Sequence, residues 1–181
     1  MNAQKISHAP GRYNPAGVKK VYYAFLEDIA SFPTLDDPET ALTFESLVEY
    51  TEAIVMKAGK QFFEYYGTLE ESELKCELVG PLDGKGFENS GEWSYPGNDS
   101  KALGFMAATA NRPAVYLIVE KNNVVRVVGS LEDPAYLQTI ANTSGKKIAD
   151  GRKSVITVKA SGATPAPIYT LPLTSLLAPA A

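Results

Sequence analysis

The sequence predicts a mainly β domain, a β-barrel or sandwich with one packed α-helix and extended N- and C-terminal arms. Three observations lead to this fold class. Apolar and polar residues alternate through most of the chain, one segment carries helix-capping signals, and both ends are punctuated by proline. The 181 residues, 45% hydrophobic and 21% charged, have the composition of one globular domain rather than of a disordered chain or of two full domains.

The two arms are predicted from their proline and glycine content. Residues 1–20 hold two prolines and two glycines with almost no large aliphatic side chains, which predicts an irregular N-terminal arm. The β-rich domain then covers residues 21–164. Residues 165–181 are predicted to form a C-terminal arm, and regular structure is expected to fade after about Lys159, because proline removes sheet donors. The C-terminal arm keeps several large apolar residues, so we expect it to pack on its own domain or on a neighbouring subunit.

Two early strands are predicted at residues 50–56 and 61–66, whereas residues 40–48 fit a helix or a strand equally well. The aromatic run at residues 62–66 has the composition of a base-stacking platform. A strand covered on both faces, by the core and by a second protein surface, is the better account.

A long hairpin is predicted in the middle of the chain. In residues 73–78 the apolar side chains fall on one face and the charged ones on the other, which indicates a half-buried strand. Residues 80–86 have turn chemistry. Residues 87–95 then resume the alternation, with Phe87, Gly91, Trp93 and Tyr95 on a common face.

One helix is predicted after this hairpin. Residues 98–100 offer N-cap side chains, residues 101–110 are good helix formers, and Pro113 stops the run. We expect Leu103, Met106 and Ala110 to share its buried face.

A second hairpin follows the helix. Residues 114–120 are β-branched and aromatic, residues 121–123 form a turn, and residues 124–128 make the return strand. A last core strand is predicted at residues 153–160. Between them, residues 133–141 begin like a capped helix, but residues 136–141 fit a strand equally well.

The residue content leaves little room for catalysis. The chain has one cysteine, Cys76, and one histidine, His8, so it cannot build a disulfide framework, the usual zinc site or a triad with an internal histidine base. We expect Cys76 to be buried and inert and His8 to be exposed. No catalytic, cofactor-binding or metal-ligating residue is assigned, and no enzyme activity is expected.

Other polar motifs have simple structural explanations. The carboxylates at residues 36–39 and 132–134 match turn and helix-cap sequences, which explains them better than a catalytic or metal site does. Residues 84–86 (Gly-Lys-Gly) lie between two predicted strands, so they indicate a turn and not a phosphate loop, which must open a helix.

Charge and hydropathy speak against a membrane or nucleic-acid partner. The first residues are followed by no apolar leader, and residues 21–25 are too short for a signal peptide or a membrane span. The net charge of -4 and the scattered Lys and Arg argue against a dedicated reader of nucleic acid.

The order of the segments points to a family. A Gly-rich turn leads into an aromatic strand, then a helix from about Ser100, an apolar hairpin, and a final strand that runs to a proline-rich end. These segments are residues 79–89, 93–97, 113–128, 128–130, 143–147 and 165–169. In this layout, over about residues 50–170, the chain resembles the tail tube (major tail) proteins of tailed bacteriophages, which are similar to the tubes of contractile injection systems.

The resemblance implies a structural virion protein without catalysis or cofactor. Such proteins assemble in the host cytoplasm into rings, usually hexameric, that stack into the tail tube. The implied partners are other copies of the chain, the tape measure, tail terminator and baseplate or initiator proteins, and a sheath if the tail is contractile. DNA passes through the lumen without specific binding, because an acidic channel repels phosphates, and no membrane is involved.

The same model assigns roles to particular segments. Residues 2–20, 31–42 and 165–181 are candidates for ring-to-ring contacts. Residues 73–77 and 88–92 are candidates for lining the lumen. The edges of the strand at residues 114–119 are expected to be satisfied by neighbouring subunits, which would explain why it is apolar on both faces.

Three alternatives stay open. One is a head-to-tail joining or tail terminator protein, which shares the fold but forms a single ring. Another is a ligand-binding β-barrel with an aromatic pocket. The last is an enzyme that uses Glu45 and Glu49 on a helix facing a cleft. The pocket of the ligand-binding alternative would be lined by Tyr22, Tyr23, Phe62, Phe63 and Trp93.

Overall fold

The computed structural model describes residues 3–7, 9–11 and 13–177, so the prediction for His8 and the outermost residues of both predicted arms lie outside the described residues. Strands make up 41% of the chain and helices 13%. The predicted fold class, mainly β with one helix, is therefore confirmed, and the sheets are arranged as a β-sandwich.

The described residues form twelve strands and one α-helix, α1 (Ser100–Thr109). In chain order the strands are β1 (Val18–Phe25), β2 (Ile29–Ser31), β3 (Glu49–Tyr50), β4 (Val55–Met56), β5 (Phe63–Tyr65), β6 (Ser72–Val79), β7 (Gly86–Pro96), β8 (Ala114–Glu120), β9 (Val125–Val128), β10 (Tyr136–Thr143), β11 (Lys153–Gly162) and β12 (Ile168–Tyr169).

The first sheet has six strands in the order β3-β12-β9-β8-β1-β5. Its centre is the predicted hairpin β8-β9, which is confirmed, together with β1, which pairs antiparallel with β8 along its whole length. No strand was predicted at β1, and residues 18–20, assigned to the N-terminal arm, belong to it. The reason is that Val21 pairs with Ile118, a partner about a hundred residues away that no local pattern reveals.

The second sheet has four strands in the order β10-β11-β7-β6, all antiparallel. The predicted β6-β7 hairpin and the predicted strand at β11 are confirmed. Residues 136–141, whose sequence fitted a helix or a strand, form a strand. Leu137 and Ile140 lie opposite Val158 and Ile156 of β11, and this pairing outweighs the helix-like start at Pro134.

The main core lies between the two sheets. Trp93, Ile156 and Val158 of the second sheet pack with Tyr116 and Ile118 of the first, and all five are essentially inaccessible to solvent. Burial raises the pKa of Tyr116, which therefore stays neutral across the physiological range.

A second core covers the opposite face of the first sheet. Val115 and Leu117 of β8 are buried there with Tyr169 and Leu176 of the C-terminal segment. The expectation that neighbouring subunits satisfy the edges of residues 114–119 is therefore wrong. Strand β8 lies between β9 and β1, and it is apolar on both faces because its own chain covers both.

The C-terminal segment packs on its own domain, which was one of the two expected outcomes. Regular structure continues past Lys159, since β11 runs to Gly162 and β12 pairs with both β3 and β9. Prolines do not prevent this pairing, because a proline keeps its carbonyl: Pro167 accepts a hydrogen bond from the Val127 N–H at 2.8 Å.

Asn89 fixes this segment across the sandwich, and its replacement provides a test. Its buried side chain donates to the Thr164 carbonyl at 3.0 Å and accepts from the Ala166 N–H at 2.8 Å. Asn89→Ala is expected to lower the free energy of unfolding by about 1–3 kcal/mol, because both backbone groups lose their partner. Urea unfolding measures the change. Asn122→Ala is the matched control, since its bonds to the Glu120 carboxylate and from the Val124 N–H are exposed and water can replace them; equal losses would contradict the argument.

Helix α1 begins at the predicted cap. The carboxylate of Asp99 accepts from the Ala102 N–H at 2.7 Å and from the Tyr95 hydroxyl at 2.6 Å. The hydroxyl contact and then the backbone N–H lower the pKa of Asp99. Of the predicted buried face, Met106 is buried as expected. Leu103 and Ala110 are exposed instead, and Ala102 and Thr109 are buried in their place.

The short early elements differ from the predicted strands. The strand expected at residues 50–56 is split into β3 and β4, and the one at residues 61–66 is reduced to β5. Residues 40–48 form turns with a 3-10 segment at Glu45–Leu47. Glu49 lies in β3, so the helix that the enzyme alternative needed for Glu45 and Glu49 is not formed.

Candidate assembly surface

The outward side of the second sheet is polar, and we call it the polar sheet face. Alternation along β7 and β11 sends Trp93, Ile156 and Val158 into the core and the intervening side chains outward. The cross-strand register gives its members: Glu73, Lys75 and Glu77 from β6; Glu88, Ser90 and Glu92 from β7; Lys153, Val155, Thr157 and Lys159 from β11; Tyr136, Thr139 and Ala141 from β10.

Carboxylates slightly outnumber ammonium groups on this face. Lys159 pairs with Glu88 at 2.6 Å, and Lys75 lies 3.8 Å from Glu77. Glu92 accepts a hydrogen bond from the Thr157 hydroxyl at 3.3 Å. The two segments predicted to line a lumen, residues 73–77 and 88–92, are thus neighbouring strands whose outward side chains share this face. Whether they line a lumen stays a prediction.

Both edges of the second sheet are open within the described residues. Strand β6 is hydrogen-bonded to β7 and strand β10 to β11, and neither has a second partner strand there. Each edge is eight residues long, and the bulge near the start of β10 leaves residues 139–143 regular. Such edges are templates for pairing with another chain.

Large apolar side chains are exposed at the far end of the β6-β7 hairpin. Leu78, Val79 and Leu82 are 55%, 43% and 84% exposed, and they follow one another around the tip. A cluster of this kind commonly marks a protein contact.

The aromatic run at residues 62–66 is divided between core and surface. Phe62 and Tyr65 are buried, whereas Phe63 and Tyr66 are about half exposed. The second protein surface predicted to cover them stays a prediction. Burial raises the pKa of Tyr65, whose hydroxyl is in the main core beside Trp93.

The predicted stacking segments have different environments. Residues 165–177 are taken up by the core of their own subunit, so they do not form a free arm. In the N-terminal arm, Gln4 hydrogen-bonds to the Leu42 carbonyl and the Phe44 N–H, while Ile6 and Tyr13 remain largely exposed. The arm and residues 31–42 are therefore neighbours on the surface.

Cavities open on the surface of the described part of the chain. One, of about 800 Å³, lies at the end of the polar sheet face where β6 begins. Another, of about 530 Å³, brings together the acidic turns at residues 36–39 and 132–134 beside Tyr50, whose pKa is raised to about 12 by burial and then by Glu132. Within the described ranges, no group of Asp, Glu, Cys or His side chains is placed to hold a metal ion.

The residues of the ligand-binding alternative do not form a pocket. Phe62 and Trp93 are fully buried in different cores, and neither cavity is lined by them or by the other three aromatic residues of that alternative, Tyr22, Tyr23 and Phe63. Cys76 is half buried on the inward side of β6. It was expected to be buried, but β6 is an edge strand and leaves that side partly open.

Comparison with known proteins gives no relative: no protein-family model, no curated protein and no solved structure matches the chain. In the part of the chain that the structure describes, no helix has the length and apolar character needed to cross a membrane.

Proposed function

We propose that the chain is a structural subunit that assembles into rings, and that the rings stack into the tail tube of a bacteriophage. The observation that carries the proposal is the second sheet: four antiparallel strands with a polar outer face and two long open edges.

The direction of its strands favours closure into a ring. Because the four strands alternate in direction, β6 and β10 run in opposite directions. Rotation about an axis roughly along the strands therefore brings β6 of one copy beside β10 of the next in antiparallel orientation. Every copy forms the same head-to-tail contact, which closes a ring when the rotation closes. Six copies would supply about 24 strands to one continuous sheet.

The polar sheet face is the surface that such a ring turns toward its channel. The opposite face of the sheet is committed to the main core, so the side with Glu73, Glu88 and Glu92 is available to line the lumen. A lining with more carboxylates than ammonium groups repels phosphates and lets DNA slide without being held. The exposed apolar tip at Leu78 to Leu82 is free to contact a neighbouring ring.

Negative-stain electron microscopy with sedimentation velocity tests this proposal. Long hollow tubes are the expected result for the purified protein. Single rings that never lengthen would instead support a joining or terminator protein. A monomer at all concentrations and salt conditions would overturn the proposal, and a small-molecule screen would then test the ligand-binding alternative.

A further inference from the structure

The cavity at the start of β6 is lined by an excess of carboxylates, and we call it the acidic recess. It lies at the end of the polar sheet face where β7 finishes and β11 begins, and its volume is about 800 Å³. Its ionisable lining residues are Glu70, Glu71, Glu73, Glu92, Glu120 and Lys153.

Three of these carboxylates already have a cation. Lys153 lies 3.5 Å from Glu71, and Lys121 lies 3.6 Å from Glu70. Arg126 lies 3.6 Å from Glu120. These three ion pairs neutralise part of the negative charge of the recess within the same chain.

Glu73 and Glu92 are different. They lie directly opposite each other on β6 and β7, and within the described residues neither has a cation at ion-pair distance. Like charges in this position destabilise a sheet. The glutamate pair two same-face steps along, Glu77 and Glu88, is compensated by lysines, so Glu73 and Glu92 leave the recess able to accept further positive charge.

The lining of the recess also contains a buried hydroxyl group. Ser94 is 3% exposed, and its Oγ has no well-formed hydrogen bond. The hydroxyl lies near Glu71, where it and then Lys153 lower the pKa of that carboxyl. Its oxygen accepts from no donor among the described residues and lies in the wall of the recess. Because the described carboxylates do not converge as metal ligands do, an ammonium group fits this site better than a metal ion.

The connection between β10 and β11, residues 144–152, supplies exposed ammonium groups, and we call it the lysine hairpin. Its Lys146 and Lys147 side chains are exposed, with no acidic partner at ion-pair distance among the described residues. The Asp150 carboxylate accepts from the backbone N–H groups of both lysines at 3.0 and 2.9 Å, which fixes the loop while leaving their side chains to point elsewhere.

The lysine hairpin and the acidic recess lie at the same end of the second sheet but toward opposite edges. Thr143 of β10 pairs with Lys153, which pairs with Pro96, and Ser72 of β6 pairs with Trp93 close to the same end. Rotation in a ring keeps this end level, so the hairpin on the β10 edge of one copy comes beside the recess on the β6 edge of the next.

We propose that Lys146 and Lys147 of one copy dock in the acidic recess of its ring neighbour, facing Glu73, Glu92 and Ser94. This inference rests on the proposed ring. It names the charged contact that selects the correct neighbour and register, which open backbone edges alone specify weakly.

Charge reversal on each side tests the contact. K146E/K147E and E73K/E92K should each need about tenfold more protein than wild type to form rings, since each loses two exposed ion pairs and gains repulsion. An equimolar mixture of the two variants should assemble like wild type, because alternating copies restore opposite charges at every interface. K85E/K101E is the matched control, with two exposed lysines reversed elsewhere on the surface.

The outcomes separate this inference from the proposed function. Restoration in the mixture supports the contact, as does a wild-type assembly that weakens when salt is raised. If the reversed variants assemble like wild type, the contact is overturned and the ring stands. If wild type forms no rings at all, both proposals fail. Circular dichroism melts confirm that each variant is folded, and K146Q/K147Q with E73Q/E92Q replace any variant that is not.

Discussion

A proline at one of two adjacent positions in β10, Ile140 or Ala141, is expected to abolish assembly of the proposed ring while the chain stays folded. Successive N–H groups of an edge strand point alternately toward its partner strand and toward the open side. Both residues are exposed in the regular part of β10. One proline therefore removes a donor from the open edge, and the other removes a donor that β11 uses.

The two prolines are controls for each other. The one that faces β11 should lower the free energy of unfolding by about 1–3 kcal/mol, whereas the one on the open edge should leave urea unfolding almost unchanged. Sedimentation velocity then shows which variant still forms rings. If both variants assemble, or if loss of rings simply follows loss of stability, pairing through the β10 edge is refuted.

Gly129→Ala is expected to lower the free energy of unfolding by about 3 kcal/mol, from a conformational and a steric cost together. Gly129 has φ +93°, a conformation that costs other residues roughly 1–2 kcal/mol. An added Cβ would also lie 2.7 Å from the Ala135 backbone nitrogen. That nitrogen donates to the Ala114 carbonyl at 2.9 Å, in the bridge that joins β8 to the chain entering β10.

The Gly97→Ala variant separates the conformational cost of the positive φ from the cost of the close contact. Gly97 has a similar φ of +103°, but an added Cβ there would meet nothing within 4 Å. The Gly97→Ala variant should therefore lose only the conformational cost, roughly 1–2 kcal/mol of the free energy of unfolding. Urea unfolding of both variants measures the difference. Equal losses would mean that the close approach at Ala135 is relieved by a shift of the backbone.

The parts of the fold that the sequence predicts are those whose partners are close in the chain. The β6-β7 and β8-β9 hairpins each contain both strands and their turn, so local alternation and turn residues suffice. Strand β1 was not predicted, since its partner β8 is remote in the chain. Strand β12 was not predicted either, because it is short and lies among prolines. The open choice at β10 was resolved by its pairing with β11.

The candidate site also combines features that the local sequence predicts with features that depend on the fold. Alternation in residues 73–77 already places their charges on one face, and that could be predicted. The opposition of Glu73 to Glu92 depends on the exact register of β6 on β7, and the open edges depend on the strand order. The register is set by the geometry of the β6-β7 turn and the strand order by contacts distant in the chain, and the alternation of neighbouring residues supplies neither. The burial of Ser94 in the recess likewise depends on how the strands pack, so the local sequence does not predict it.

The position of β12 also bears on the order in which a nascent chain can become a finished subunit. Residues 165–177 are synthesised after every strand that they cover, and Tyr169 and Leu176 are needed to seal the second core. Strands β1 and β3 must likewise wait for partners made about a hundred residues later. Pairings so distant in the chain form slowly. A chain still on the ribosome therefore exposes the β8 side that these residues will cover, and the second core is complete only after they have emerged and docked.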